Sequence, residues 1–186
     1  MSDHVFTFID LETTGTSAYK DRVIEVGLVR VENGREVLRY QSLVNPEVAL
    51  PSWIERLTGI RAEALYDAPL FTDVAHKLQE LTAGSTMVAH NAGFDYSFLK
   101  REMYRARTPW DSAAVCSVRY SRNLYPGFVS HSLDAVSKRH NLRCKHRHRA
   151  LDDADLIWQF FQLVEKEFPQ DKLSQALERS YIHTGI

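Results

Sequence analysis

The chain alternates apolar runs with polar turns, and the spacing in its first quarter predicts an antiparallel unit of three strands. Residues 5–12 (VFTFIDLE) are rich in β-branched and aromatic side chains and end at a Thr-Thr-Gly turn, which is typical of a buried strand. Further strands are predicted from Val23 to Glu32 and from Val37 to Val44. The Asn33-Gly34 pair between them is a strong signal for a hairpin turn.

The rest of the chain alternates helical periods with short buried strands. The pattern predicts strands at 86–89 and 114–116 and helices at 52–57, 72–81, 94–105, 117–124, 132–140 and 150–168. An antiparallel unit followed by alternating strands and helices predicts an α/β fold, in which helices flank a mixed five-stranded sheet.

Composition adds the expectation of an ordinary globular domain. With 186 residues, 44% hydrophobic and 25% charged, we expect one domain over 1–186, with a core at about 4–168 and a C-terminal helical extension at 169–186. MSDHVFTFID lacks the features of a secretory signal and no apolar run reaches the ~20 residues that span a bilayer, so we expect a cytoplasmic protein without a membrane partner. Cys116 and Cys144 are expected to be reduced thiols. A domain excised from a longer polypeptide stays open.

Charge narrows the kind of partner. The formal net charge of −1 excludes the overall basic character of a non-specific nucleic-acid binder, so a site for a polyanion has to be local. The segment from Lys138 to Arg149 contains six Lys or Arg residues, three histidines and no acid. A solvated basic loop and a phosphate-binding surface are both open interpretations, and the position just before Asp153 favours the second.

Two carboxylates lie at the end of the first strand. Because side chains alternate on a strand, Asp10 and Glu12 point to the same face as Phe6 and Phe8. That end of the strand is where ligand crevices form in open α/β sheets, so we expect both carboxylates at a site. The alternative is that Asp10 starts a turn and Glu12 is exposed.

A second acid, Asp95, begins the helix predicted near Phe94. A rotation of about 100° per residue places Asp95 between Phe98 and Leu99, within the apolar stripe. This position favours an inward-facing site residue, although an acid near a helix N-terminus is also typical of a cap.

A third group of acids begins the last long helix. Asp152 is predicted on the exposed face, whereas Asp153 and Asp155 lie on opposite borders of the apolar stripe, and periodicity does not choose between them. His148 precedes the helix on a predicted mobile loop, and an imidazole that titrates near neutrality suits a general base.

The histidines have two other interpretations. Cys144, His146 and His148, with His140 upstream, could form a zinc site, but C-x-H-x-H matches no usual zinc spacing and we disfavour it. His90 is predicted to be a structural hydrogen-bonding residue at a strand end.

Taken together, three segments resemble the DEDDh exonucleases of the ribonuclease H-like fold, a family that includes the proofreading epsilon subunit of bacterial DNA polymerase III. The motifs are D-x-E-T-T-G at 10–15, H-N-A-x-F-D at 90–95 and H-x-A-x-x-D-A at 148–154. The third motif selects Asp153 over Asp155. The stretches SLVNP, ERLTGI, CSVRYSRNLYP and RHRALDDADLIWQF resemble more closely the exonuclease domains fused to GIY-YIG endonucleases.

Two features depart from the family pattern. Thr16 follows T-T-G where the family usually has an apolar residue, which puts the fine packing of the substrate in doubt. About eighteen residues follow Phe168, so we expect the long partner-binding tail of the epsilon subunit to be absent.

The resemblance implies a metal-dependent 3′–5′ exonuclease that hydrolyses single-stranded or frayed DNA ends to 5′-nucleoside monophosphates. It implies two Mg²⁺ or Mn²⁺ ions, with Asp10 bridging both, Glu12 and Asp153 completing one site and Asp95 holding the other. It also implies that His148 takes a proton from the attacking water.

The same resemblance implies the contacts to substrate. Thr13 and Thr14 are expected at the terminal sugar and Leu57 and Phe94 at the terminal bases; the other predicted substrate-binding residues are Asn91, Arg143, Lys145, Arg147 and Arg149. An exoribonuclease of the same family and a non-catalytic nucleic-acid-binding scaffold domain are the alternatives, and a polymerase or endonuclease partner stays open.

Overall fold

One mixed sheet organises the computed structural model, which describes residues 4–183. Its strands are β1 (Val5–Thr13), β2 (Val23–Glu32), β3 (Arg35–Leu43), β4 (Thr86–Ala89) and β5 (Ala114–Cys116). Their order is β3-β2-β1-β4-β5. The β1–β2 and β2–β3 pairs are antiparallel, whereas β4 pairs in parallel with both β1 and β5. The predicted α/β class with a mixed five-stranded sheet is confirmed.

Eight helices flank this sheet within the described residues. They are α1 (Ser52–Thr58), α2 (Ala62–Tyr66), α3 (Phe71–Thr82), α4 (Gly93–Arg105), α5 (Ser117–Leu124), α6 (Leu133–His140), α7 (Ala150–Glu167) and α8 (Gln170–Glu178). The sequence pattern did not predict α2, a single short turn of helix with one buried side chain, Leu65. Half of the predicted helix ends agree and the other half differ by one residue. For example, Ser132 caps α6 by accepting a hydrogen bond from the Ala135 N–H at 3.2 Å.

The two faces of β1 build two separate parts of the core. Phe6 and Phe8 pack with Trp158 and Phe161 of α7, with ring centroids 5.0 Å apart between Phe8 and Phe161. The intervening residues of β1 pack instead against α3 and α4. Alternation along the strand therefore directs the side chains of Asp10 and Glu12 towards α7.

The beginning of α7 approaches the sheet at Gly27 of β2. A Cβ added at Gly27 would lie 2.0 Å from the Leu151 nitrogen and 2.1 Å from the Ala150 carbonyl carbon, so only glycine permits this contact. Gly27 pairs with Asp10 on the neighbouring strand. The close approach thus brings the first turn of α7 beside the first acidic motif.

The ends of the predicted domain, residues 1–3 and 184–186, lie outside the described residues. Between them, no helix combines the length and the apolar character that crossing a membrane requires. Cys116 is buried and Cys144 half-buried, and both are free thiols as predicted.

Candidate active site

The first two acids lie together on β1, on the face that meets α7. Asp10 is opposite Gly27, and Glu12 is opposite Glu25 on β2, with an irregularity in register directly after Glu12. The strand therefore ends with two carboxylates beside the start of α7.

Asp95 reaches this strand from the other helix layer. Its side chain is 2% exposed and its Oδ1 accepts a hydrogen bond from the Leu11 N–H at 3.1 Å. The N-cap residue of α4, Ala92, makes no side-chain cap, and the carboxylate of Asp95 contacts the backbone of β1. Asp95 therefore faces inward, as the helical periodicity predicted.

The structure separates the two acids that periodicity left unresolved. Asp153 is 4% exposed in the first turn of α7, and one ligand atom each from Glu12, His148 and Asp153 lies within 4.8 Å of the others. Asp155 forms an ion pair with Arg39 of β3 instead, at 2.5 Å.

Two further expectations concern neighbouring residues. Asp152, predicted on the exposed face, is partly buried. Its carboxylate accepts a hydrogen bond from the His146 N–H at 3.1 Å. Among residues 4–183, the potential metal-ligand group contains neither Cys144 nor His146, so the structure gives no support to the zinc alternative.

Burial and mutual repulsion dominate the electrostatics of the four acids. Burial raises the pKa of Asp10 well above its usual value, and the charges of Asp95, Asp153 and Glu12 raise it further. Burial, followed by the charge of Asp153, raises the pKa of Glu12 to about 8.

The remaining two acids behave in the same way. Burial raises the pKa of Asp95 to about 8 against the lowering effect of hydrogen bonds from its own backbone N–H and from the Leu11 N–H. Burial also raises the pKa of Asp153, although its ion pair with Arg147 opposes this. A cluster in which ionisation is costly fits divalent cations, which favour the ionised carboxylates and prefer oxygen ligands.

Ion pairs of two arginines fix the backbone on either side of His148. Arg147 bonds Asp134 of α6 at 2.6 Å and pairs with Asp153, while Arg149 bonds Glu25 at 2.6 Å. Between them His148 adopts a left-handed backbone with φ of 60°, which is uncommon for a bulky residue. The segment is thereby anchored on both sides.

Glu25 is an important residue that the sequence reasoning missed. It is fully buried and accepts hydrogen bonds from Arg149, from the Ala150 N–H at 2.9 Å and from Gln41 at 2.8 Å. Glu25 therefore ties the start of α7 to β2. The signal available in the sequence was a lone acid within the apolar run VIEVGLV.

The predicted contacts to the terminal sugar lie in a well-bonded turn. Thr13 donates its hydroxyl to the Gly15 carbonyl at 2.6 Å, and the Thr14 hydroxyl accepts from the Arg22 N–H at 3.0 Å. Both threonines are buried. Asn91 is exposed and has φ of 67°, a conformation that Asn tolerates, at the turn from β4 into α4.

The predicted base contacts differ in exposure. Leu57 of α1 is 46% exposed, although Ile54 on the same helix is buried. Phe94 is half-buried and its ring centroid lies 4.8 Å from that of Phe98. Each therefore presents apolar surface that its own helix does not cover.

The basic segment divides into anchored and exposed residues. Arg147 and Arg149 are engaged in the ion pairs described above, and their contact with the strand stays a prediction. Arg143 and Lys145 are exposed, and within residues 4–183 neither forms an ion pair. Of the four predicted strand contacts in this segment, these two are the ones without an ion pair among residues 4–183.

His90, predicted as structural, hydrogen-bonds through Nδ1 to the Ser117 hydroxyl at 2.8 Å. Burial lowers the pKa of His90 to about 4, so its imidazole is neutral near neutral pH. This state suits a structural role and not a proton-transfer role.

The sheet order and the gathering of acids on it are those of a ribonuclease H-like nuclease domain. The exonuclease family RNase_T matches residues 7–161 of the chain. The chain therefore belongs to this exonuclease family, and its resemblance to the DEDDh exonucleases is confirmed. The closer likeness to domains fused to GIY-YIG endonucleases stays a prediction.

Relatives with known roles are much longer than this chain. It is 35% identical over 162 residues to a PolC-type DNA polymerase III of Caldanaerobacter subterraneus subsp. tengcongensis, a match over 87% of this chain and 12% of that protein. It is also 35% identical over 181 residues to the 3′-5′ exonuclease DinG of Bacillus subtilis, covering 94% of this chain and 19% of that protein.

Solved structures share the fold at lower identity. Exonuclease X in complex with 5′ overhanging duplex DNA has a TM-score of 0.68 at 23% identity. The match covers 92% of this chain and 99% of the exonuclease X chain. E. coli exonuclease I in complex with a dT13 oligonucleotide has a TM-score of 0.81 at 18% identity, with coverages of 93% and 43%. A 3′-exonuclease that recognises the histone mRNA stem-loop has a TM-score of 0.77 at 18% identity, with coverages of 90% and 84%.

Proposed function

We propose that this chain is a metal-dependent 3′–5′ exonuclease that removes 5′-nucleoside monophosphates from single-stranded or frayed DNA ends. The observation that carries the proposal is the convergence of Asp10, Glu12, Asp95 and Asp153 from three distant segments, with His148 beside them. Membership of the exonuclease family supports it. We also propose that residues 1–186 act as one exonuclease domain.

Two divalent ions, Mg²⁺ or Mn²⁺, would be held by the four carboxylates of the cluster. Their oxygen donors and their raised pKa values fit such ions. When bound, the ions supply charge stabilisation at the scissile phosphate and a nucleophile at neutral pH. A cluster with one carboxylate removed would lose this ability.

The residues of the chain supply proton transfer and positioning. His148 lies within 4.8 Å of ligand atoms on Glu12 and Asp153, so its imidazole can accept the proton of the attacking water at this point. Leu57 and Phe94 offer apolar surfaces that accept any base, which predicts cleavage with little sequence preference. Arg143 and Lys145 would attract the phosphate backbone.

We choose DNA over RNA as the proposed substrate because of the names of the relatives and the nucleic acids in the solved neighbours. The PolC-type relative is a DNA polymerase III by name, and two solved neighbours hold DNA. A polymerase context for this chain is part of the same proposal. RNA is the second candidate, because a neighbour of similar fold recognises an mRNA stem-loop.

Digestion of matched single-stranded DNA and RNA, labelled at the 5′ end, tests the proposal in Mn²⁺. We expect stepwise shortening from the 3′ end, faster on DNA, and release of 5′-monophosphates. Asp153→Asn should abolish activity, whereas Asp155→Asn, its neighbour paired with Arg39 outside the cluster, should retain it. Equal activity of wild type and Asp153→Asn would overturn the assignment, and a non-catalytic scaffold would show no wild-type activity at all.

The role of His148 has its own test. His148→Ala should lose most activity and flatten the acidic limb of the pH–rate profile, while His146→Ala, an exposed histidine two residues away, should keep the limb. An acidic limb that is unchanged in His148→Ala would remove this residue from the role of base.

A further inference from the structure

A groove on the outer side of α4 is separate from the acidic cluster and from the basic segment. It has a volume of about 500 Å³ and is bounded by the loop after β1, by α4 and by Ile182 near the C-terminus. Asp95 points from the opposite side of the same helix into the catalytic cluster. The groove is therefore not part of the site described above.

Aromatic rings and a cation line this groove in an alternating arrangement. Tyr19 and Tyr104 are 78% and 75% exposed, and the Arg101 guanidinium carbon lies 5.2 Å from the first ring centroid and 5.6 Å from the second. Within residues 4–183, no carboxylate forms an ion pair with Arg101, and its buried Nε has no hydrogen-bond partner. Arg105, on the same helix, pairs with buried Glu102 instead.

The exposed ring of Tyr19 stands on an anchored backbone. Arg105 donates hydrogen bonds to the Tyr19 carbonyl at 2.9 Å and to the Ala18 carbonyl at 3.4 Å. The Asp21 carboxylate accepts from the Ser17 N–H at 2.8 Å within the same loop. Because the loop is already ordered, stacking a ligand on Tyr19 would cost little further conformational entropy.

Both walls of the groove continue directly from predicted contacts to the 3′ end. Tyr19 follows Thr14 by five residues, and Gly93 at the start of the groove precedes Phe94. From Gly93 to Tyr104 the helix extends about 16 Å, which is long enough for nucleotides beyond the terminal one. Exposed rings beside a cation without a counter-ion match the chemistry of single-stranded nucleic acid.

We propose that this groove binds the single strand upstream of the 3′-terminal nucleotides, with bases stacked on Tyr19 and Tyr104 and a phosphate at Arg101. The proposal rests on the proposed function, since it assigns the path of the substrate of that same site. It places the strand upstream of the 3′-terminal nucleotides along α4.

Fluorescence anisotropy with 5′-labelled oligo-dT and oligo-U of about twelve nucleotides tests the groove in EDTA, where no cleavage occurs. Tyr19→Ala, Tyr104→Ala and Arg101→Gln should each raise the Kd for the strand about fivefold to tenfold. Tyr66→Ala, an equally exposed ring on α2, should leave the Kd within about twofold. Wild-type Kd values in all three groove variants, or no binding by the wild type, would overturn the proposal.

Cleavage of a trinucleotide in Mn²⁺ separates this proposal from the proposed function. A trinucleotide is too short to fill the groove, so the groove variants should degrade it at the wild-type rate while the KM for the longer strand rises. Loss of trinucleotide cleavage in the groove variants would instead place these residues in the catalytic site and overturn the proposal. Failure of the wild type to cleave either substrate would refute the proposed function, and the anisotropy would still decide the groove.

Discussion

Substitution of Gly27 by alanine is a direct test of how the fold assembles the site. The added Cβ would lie 2.0 Å from the Leu151 nitrogen and 2.1 Å from the Ala150 carbonyl carbon, whereas ordinary contact begins at 3.4 Å. Both neighbours are main-chain atoms, so no side chain can rotate away. The start of α7 would therefore have to move outward by more than about 1 Å.

This movement should cost both stability and metal affinity. Overpacking of this kind costs about 1–3 kcal/mol, and the hydrogen bond from the Ala150 N–H to Glu25 adds about 1 kcal/mol if it breaks. For a domain of this size, a loss of about 2–4 kcal/mol corresponds to a fall in Tm of roughly 4–16 °C. Because Asp153 moves with α7, we expect Mn²⁺ affinity to fall about tenfold or more.

Urea unfolding and calorimetric titration with Mn²⁺ measure the two effects of Gly27→Ala. Gly127→Ala is the matched control, because a Cβ there meets nothing within 4 Å. If Gly27→Ala unfolded at the same urea concentration as the wild type and bound Mn²⁺ equally well, the reasoning from close approach would be refuted.

Three further predictions concern charge. In EDTA, the free energy of unfolding should fall by about 1 kcal/mol or more as the pH rises from about 4.5 to 8. The reason is that the pKa of Glu12 and of Asp95 is about 8 in the folded protein, whereas the unfolded chain releases these protons at lower pH. Saturating Mn²⁺ should remove this fall. Urea titrations at both pH values measure the effect, and an equal free energy of unfolding at the two pH values in EDTA would contradict the prediction. Glu25→Gln should lower the free energy of unfolding by about 1–3 kcal/mol, since it weakens the bonds that hold the start of α7, and thermal melts with matched urea curves would show this. Arg143→Glu with Lys145→Glu should raise KM and weaken its dependence on salt, and KM values unchanged across a salt series would return these residues to a solvated loop.

Local patterns were sufficient for the five strands, for every helix except α2 and for the identity of the motifs. The alternation along residues 5–12 correctly directed Phe6, Phe8, Asp10 and Glu12 to one face, because neighbouring side chains on a strand always alternate. The Asn33-Gly34 turn correctly joined two antiparallel strands. Such features depend on residues close in the chain, so they can be predicted without the tertiary structure.

Other features depended on contacts between distant segments. Periodicity left Asp153 and Asp155 equivalent, and only the resemblance of the third motif selected Asp153. The structure gives the physical reason, because one side of α7 faces β1 while Arg39 lies on the other. The basic segment looked uniform, yet Arg149 is bound to Glu25 of β2, far away in sequence, and Arg147 is bound to Asp134 of α6.

The sequence by itself determined the five strands, every helix except α2 and the acids that belong to the three motifs. Only the tertiary structure determined the contact at Gly27, the bonds of buried Glu25 and the placement of Arg101 between Tyr19 and Tyr104. Local periodicity reports which face of an element is buried, whereas the partner that buries it depends on how the whole chain packs.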